Sequence, residues 1–323
     1  MQFKSIILSI ALSVACVSAQ DDGAGFFFKC DAPGTVALTF DDGPSDFTPE
    51  LLTTLKTAEI PATFFVLGKS INEGRGKAAL KAAFDAGHQI ALHSNTHADM
   101  NTLSAKAIQN EYEINLKAVE DTIGVRPKMA RPPYGNCNAN CAKVLTGTMG
   151  LSIIQWNCDS NDWQYEGKVN EYGKLYTNME AIINPSNPKA DSFITLQHDI
   201  KDYSVKMTPK VIDMIKAKGY QFVTVEQCLS GKIPAYDGKA AATKAPAQTT
   251  AKAPIKAPKP EPQPENPPET PKIVEGPAPE KEKEVPVANA EEKSNKVVAN
   301  SAEKLSSIFG FTLIGLISGL LMY

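Results

Sequence analysis

Histidine and tryptophan are scarce in this 323-residue chain: there are four of the first and two of the second. Such rarity makes their placement informative. The formal net charge of −3 argues neither for nor against a polyanionic partner, but basic runs interleaved with aromatics are missing, so a nucleic-acid partner is not expected. No separate aromatic-rich module is present, so a distinct sugar-binding domain is not expected. Asn-x-Ser/Thr with a permitted middle residue is absent, and no N-linked glycan is expected. Neither apolar end reaches the ~20 residues that a membrane-spanning helix needs.

The two ends are nevertheless organised. Lys4, the apolar run from Ile6 to Val17 and the small residues Val17-Ser18-Ala19 have the layout of a secretory signal peptide over residues 1–19. The alternative is an uncleaved anchor, for which the run is short. Cleavage removes Cys16 and leaves five cysteines, an odd number, in a compartment that permits disulfides. Thirteen of the 23 prolines follow residue 230, mixed with Lys, Glu, Ala and Thr. Residues 231–302 are therefore expected to form a disordered, Pro-rich stalk or tail, because they cannot bury enough apolar surface to fold. The last segment, 303–323, follows the small residues Asn300-Ser301-Ala302 and is apolar from Ile308 to the terminus, after a spacer from Glu303 to Ser307. That matches the attachment signal of a glycosylphosphatidylinositol anchor at Asn300, although the polar spacer is shorter than the usual ~8–12 residues. A tail-anchored helix is the alternative. The expected location is the cell surface, reached by the secretory pathway, with the lipid anchoring the chain to the plasma membrane or the cell wall.

Residues 26–230 carry the globular signal. Short apolar runs at Val36–Phe40, Thr63–Leu67, Gln89–Leu92, Met129–Arg131, Ser152–Trp156, Phe193–Gln197 and Gln221–Val225 read as strands. Amphipathic stretches at Pro49–Ala58, Lys77–Ala86, Ala105–Ile123 and Pro209–Lys218 read as helices, with Gly87, Gly124 and Gly219 at C-cap positions. The alternation predicts an α/β fold with parallel strands, as a barrel or an open sheet. Polar motifs follow several strands directly, at the edge where such folds build sites.

Four of these motifs carry chemistry. Thr39-Phe40-Asp41-Asp42-Gly43-Pro44 sets two carboxylates at a strand end, though alone it is an ordinary turn. His93-Ser94-Asn95-Thr96-His97 has the i, i+4 spacing that puts two imidazoles on one face of a helical turn, where they can share a metal. With Asp42 as third ligand, the set leaves positions open for water and substrate; zinc is the first expectation, with cobalt or iron also compatible. Arg131-Pro132-Pro133-Tyr134-Gly135 places an arginine near the acids and stiffens the following loop, or is simply a rigid connection. Both tryptophans lie in Trp156-Asn157-Cys158-Asp159-Ser160-Asn161-Asp162-Trp163, where aromatic faces and acids suit a sugar ring or a core. A third post-strand histidine, His198, closes Leu196-Gln197-His198. His88 precedes a strand and is read as a packed, hydrogen-bonded residue.

Taken in order, TFDDGP, HSNTH, RPPYG, WNCDSNDW and LQH resemble the five motifs of the polysaccharide deacetylases of carbohydrate esterase family 4. The resemblance spans roughly residues 30 to 228. It implies a distorted (β/α) barrel. It implies Asp41 as general base, Asp42, His93 and His97 as metal ligands, and Arg131 as the partner of the base. The Tyr134 amide corresponds to an oxyanion donor, Asp162 to the acid that orients the catalytic His198, and Trp163 and Leu196 to walls of the acetyl pocket. The cysteines are similar to those of fungal chitin deacetylases, which implies Cys30–Cys228 and Cys137–Cys141 bridges and leaves Cys158 as a small buried thiol. Gln197 and Cys158 depart from the motifs and bear on substrate preference. The function implied is metal-dependent N-deacetylation of chitin or chitooligosaccharides by a monomer. The alternatives are an O-acetyl esterase on acetylated xylan and a surface protein that only binds wall polysaccharide.

Overall fold

The computed structural model describes residues 25–238. The expected signal peptide, most of the stalk and the anchoring tail with Asn300 lie outside the described residues. Ten strands run as β1 Phe26–Phe27, β2 Thr35–Ala37, β3 Thr39–Asp41, β4 Thr63–Val66, β5 Gln89–Leu92, β6 Met129–Ala130, β7 Ser152–Ile154, β8 Cys158–Asp159, β9 Phe193–His198 and β10 Gln221–Val223. Every pairing between them is parallel, in the order β1-β7-β6-β5-β4-β3-β9-β2-β10, with β8 added to β9. The α-helices are α1 Thr48–Ala58, α2 Gly68–Asn72, α3 Gly76–Asp85, α4 Ala105–Ile123, α5 Ala139–Ala142, α6 Lys174–Ile183, α7 Asp202–Ala217 and α8 Val225–Cys228.

The largest helix shows how the sequence sets its bounds. Ser104 caps α4 by accepting the Ala107 N–H, and Gly124 ends it in the left-handed region at φ 73°. Between them Ile108, Tyr112, Asn115, Leu116 and Val119 repeat at helical spacing and are buried. α7 begins seven residues before the expected start at Pro209, which stands inside it. Tyr203, Ser204 and Val205 are buried there, and the Thr208 hydroxyl donates to the Ser204 carbonyl, so packing holds the turns that a proline rule would omit. β7 stops at Ile154 instead of Trp156 because the Ile154 and Gln155 carbonyls accept hydrogen bonds from Arg131.

Successive residues of a strand face opposite sides. One face packs under the helices through Phe64, Val66, Ile90, Leu92, Ala130 and Ile153. The other face gives Ala37, Phe65, Ala91, Met129, Ile154 and Ile194, from six different strands, which all join one cluster. Residues so far apart along the sheet can meet only if the sheet curls round an interior. The outermost strands β1 and β10 are not paired to each other among the described residues, so the barrel is distorted and open at that seam.

The N-terminal mouth is closed by α8. Its first N–H groups donate to the Thr63 hydroxyl and the Gln89 side-chain carbonyl, at the starts of β4 and β5. The Cys30–Cys228 disulfide joins the first and last segments there, with Cα atoms 4.5 Å apart. The packed chain runs past the expected edge at residue 230: residues 235–237 lie antiparallel to 126–128, and the Ile90 N–H donates to the Tyr236 hydroxyl. His88 belongs to this end too, buried beside Phe64, its Nδ1 accepting the Ala62 N–H at 3.2 Å. No described helix is long and apolar enough to cross a membrane.

Candidate active site

The C-terminal ends of the strands carry the polar motifs. Asp41 ends β3, His93 follows β5, Arg131 follows β6, and His198 ends β9, in register with Asp41. Residues 93–98 do not form the helical turn that the histidine spacing suggested. The Glu111 carboxylate accepts the N–H groups of Asn95 and Thr96 and the Thr96 hydroxyl, and Ser94 Oγ accepts the His97 N–H. These bonds fold the segment into a loop that returns His97 to His93, with ring centroids 5.1 Å apart. The loop needs left-handed backbone at Ser94 and His97, and Asp42 and Tyr134 are also left-handed, at φ 76° and 59°. Such residues cost of order 1–3 kcal/mol each and persist where the surroundings over-determine them.

Asp42, His93 and His97 form one donor set, their ligand atoms all within 4.8 Å of one another. Both histidine Nε2 atoms lie 3.4 Å from Asp42 Oδ1. His93 Nδ1–H donates to the Arg131 carbonyl at 2.7 Å, and that carbonyl can only accept, so Nε2 turns a lone pair to the site. Asp42 Oδ1 is buried with no hydrogen-bond partner. Burial opposes ionisation of Asp42, yet His93, His198 and His97 hold its carboxyl well below the usual range. Burial also lowers the His97 pKa, against the pull of Asp42. Two imidazole Nε2 atoms and a carboxylate converging on one point suit a divalent cation.

Asp41 and Arg131 form the second unit, both buried. Arg131 Nη1 donates to Asp41 Oδ1 at 2.7 Å and to Thr39 Oγ1 at 2.8 Å; Nε and Nη2 donate to the Ile154 and Gln155 carbonyls. The guanidinium lies 4.0 Å from the Phe65 ring centroid and 5.4 Å from that of Trp156. Burial lowers the Arg131 pKa and Asp41 offsets it. The other Asp41 oxygen, Oδ2, is 3.7 Å from His93 Nε2 and borders the cleft.

Asp162 and His198 form the third unit. Asp162 Oδ1 is 2.6 Å from His198 Nδ1, and Oδ2 accepts the His198 N–H at 2.8 Å. Burial disfavours the imidazolium, but Asp162 outweighs it and raises His198 to about 9. Asp162 is lowered in turn, its burial outweighed by His198. The Tyr203 hydroxyl donates to the Asp162 carbonyl at 2.8 Å, and Tyr203 stacks on Tyr172 in a satellite aromatic cluster.

All three units open on a cleft of about 400 Å³, walled by Tyr134, Trp156, Trp163 and Leu196, with Asp159 and Lys201 at its edge. Tyr134 and Trp163 are 64% and 55% exposed, so their rings are open to the cleft. Leu196 and His198 face the cleft, whereas Gln197 between them points to α7 and donates to Ser204 and Thr208. Gln197 therefore does not touch the cleft, and Cys158 is buried in β8, where burial pushes its thiol up. Cys137–Cys141 staples the loop after Tyr134 to α5. Sequence reasoning passed over Glu111 and Asp199. Asp199 is buried next to His198, accepts the Thr48 hydroxyl at 2.5 Å, and is raised by burial to about 7. Its one signal in sequence is its place directly after a strand-end histidine.

Known proteins share this arrangement of fold and motifs. Residues 29–151 match the family model described as polysaccharide deacetylase. The chain is 38% identical over 205 residues to a chitin deacetylase of Colletotrichum lindemuthianum, covering 62% of this chain and 82% of that one. It is 35% identical over 199 residues to a peptidoglycan-N-acetylglucosamine deacetylase of Listeria monocytogenes, covering 61% of this chain but only 39% of the relative. The solved structure of the Colletotrichum lindemuthianum chitin deacetylase superposes with a TM-score of 0.61 at 36% identity, over 66% of this chain and 95% of that one. With the parallel barrel and the five motifs gathered at its open end, this places the chain in the polysaccharide deacetylases of carbohydrate esterase family 4, as a deacetylase of the chitin or peptidoglycan type.

Proposed function

We propose that the chain hydrolyses N-acetyl groups of chitin or chitooligosaccharides, giving acetate and glucosamine units, with a divalent cation held by Asp42, His93 and His97. One observation carries the reading: the Asp41–Arg131 pair and the His198–Asp162 pair flank that donor set across a single cleft. A divalent cation held by Asp42, His93 and His97, zinc by donor type, would supply Lewis-acid polarisation of the acetyl carbonyl and would acidify a bound water.

The protein's own groups do the rest. Asp41, aimed by its hydrogen bond from Arg131, takes a proton from the attacking water as its oxygen bonds to the acetyl carbon. The Tyr134 amide stabilises the oxyanion. The C–N bond then breaks, and His198 gives its proton to the leaving nitrogen. Asp162 fixes the ring through Nδ1, which leaves Nε2 towards the cleft, 4.0 Å from Asp42 Oδ2. Trp163 and Leu196 enclose the acetyl methyl. The substrate assignment to chitin draws on the fungal relative and on the cysteine pattern. The same reading includes a monomer, exported by residues 1–19 and tethered at the cell surface through a stalk and a lipid at Asn300.

Acetate release from chitin oligomers, peptidoglycan and acetylated xylan, with and without chelator, tests this. We expect chelator-sensitive release, fastest on chitin oligomers. Faster release from xylan or peptidoglycan moves the substrate assignment, and binding without acetate release overturns the catalytic reading.

A further inference from the structure

β3 ends at Asp41, and the next residue, Asp42, stands in the left-handed region. On the side of β4 the chain is tied three times. Asp42 N–H donates to the Phe65 carbonyl at 3.2 Å, Ser70 Oγ donates to the Asp42 carbonyl at 2.9 Å, and Leu67 N–H donates to the Gly43 carbonyl at 3.0 Å. On the side of β9 the ties run through one residue, Asp199. Its carboxylate accepts Thr48 Oγ1–H at 2.5 Å, and its carbonyl accepts Ser45 Oγ–H at 2.6 Å. The Ser45 N–H donates back to Thr48 Oγ1 at 2.8 Å, and the Phe47 N–H to Ser45 Oγ at 3.0 Å, which closes the network.

Asp199 is fully buried, and its second carboxylate oxygen, Oδ1, has no partner. A carboxyl group is a costly way to fill interior volume that an apolar side chain could occupy. Gly43 shows what it occupies. A Cβ there would meet Asp199 Oδ1 at 2.2 Å and Oδ2 at 2.3 Å, and the backbone of Gly43 is not left-handed. The side chain is therefore excluded at Gly43 by space, and that space is filled by Asp199.

We infer that Asp199 is a positioning residue for the metal site: it sets the path of residues 42–48 from the β9 side and so fixes where the Asp42 carboxylate stands relative to His93 and His97. The inference rests on the proposed reading that these three hold a divalent cation. Asp199 itself touches neither cation nor substrate.

Calorimetric titration of the metal-free full chain with zinc tests it, alongside melting curves and steady-state kinetics at saturating zinc. Asp199→Ala is expected to weaken zinc binding by about ten- to a hundredfold, the usual effect of losing a group that orients a ligand. The KM for chitin oligomers should stay unchanged. Asp199→Asn keeps the volume and an acceptor for Thr48, and should recover most of the affinity. Gly43→Ala should weaken zinc binding alone but add little to Asp199→Ala, because the group its methyl strikes is gone. Thr48→Val removes only the hydroxyl donor and serves should Asp199→Ala not fold; a smaller loss of affinity is expected. Variants that melt earlier yet bind zinc as tightly as wild type make Asp199 merely structural and overturn the inference alone. Wild-type protein that takes up no zinc overturns the metal reading, and the inference with it.

Discussion

His88 lies at the closed end of the barrel and His198 at the open end, both largely shielded from water. Burial pushes both in the same direction, towards the neutral ring. His88 has a backbone N–H as its partner and falls to about 4, whereas His198 has Asp162 at 2.6 Å and rises to about 9. The partner, not the burial, decides the charge. The same contrast holds for the two ends as a whole. The closed end satisfies its polar atoms through Thr63, Gln89 and Tyr236, while the open end leaves Asp42 Oδ1 and Asp199 Oδ1 without partners.

The strongest attack on this contrast is Asp41→Asn. It removes the proposed base and the anionic partner of a fully buried arginine at once. Acetate release should fall by about 10²–10⁴-fold. Chemical denaturation should show a loss of about 3–5 kcal/mol, because Arg131 is left as an uncompensated buried charge. Near-wild-type turnover would remove Asp41 from the mechanism.

At the other end, replacing Cys30 and Cys228 together with alanine should cost about 2–5 kcal/mol of stability. The kcat of the folded enzyme should not change, since the bridge lies across the barrel from the cleft. A kcat that drops well below the unfolding transition would show that the two ends are mechanically coupled.

Asp162→Asn sharpens the contrast by making His198 resemble His88. Without the anion the imidazolium loses its stabiliser, its pKa falls, and the alkaline limb of the pH–rate profile should move down by about one unit or more. A histidine whose folded pKa lies above its unfolded 6.5 stabilises the fold fully below 6.5, and that contribution disappears as pH rises through about 9. The stability of the variant should therefore be flatter than that of wild type between pH 6.5 and 9. An unmoved alkaline limb assigns that limb to another group.

The smallest effect is expected from His88→Leu. Wild-type His88 binds its proton only near pH 4 when folded, so stability falls as pH drops from 6.5 towards 4. Leucine removes that term, worth at most about 2 kcal/mol between pH 7 and pH 5. Melting curves at the two pH values read the difference, and acetate release at pH 7 should be unchanged. Lost activity would mean that the closed end is not catalytically silent.

Much of this plan was legible in the residues. Gln89–Leu92 is a short apolar run between Gly87 and a polar motif, and Ser104 and Gly124 mark both ends of α4, so local chemistry and tertiary structure agree there. The site was legible because each motif follows a strand, which commits its side chains to one edge of the sheet. What stayed hidden depends on distant partners. The histidine loop takes its shape from Glu111, fourteen residues after His97, and no spacing rule carries that. The first turns of α7 depend on the burial of Tyr203, and the two residues of β8 are too few to show a period. Asp199 reads as an ordinary acid until Gly43 is seen against it.

The closed end also has a practical side. Gly25 leads into the N-terminal edge of β1, and residues 235–237 lie beside the segment that leads into the same edge at β6. Both ends of the described chain thus leave on the side opposite the cleft. A domain coupled to a bead or a flat support through a residue added after Gly238 should work with its mouth turned outward, as freely on oligomers as it does in solution.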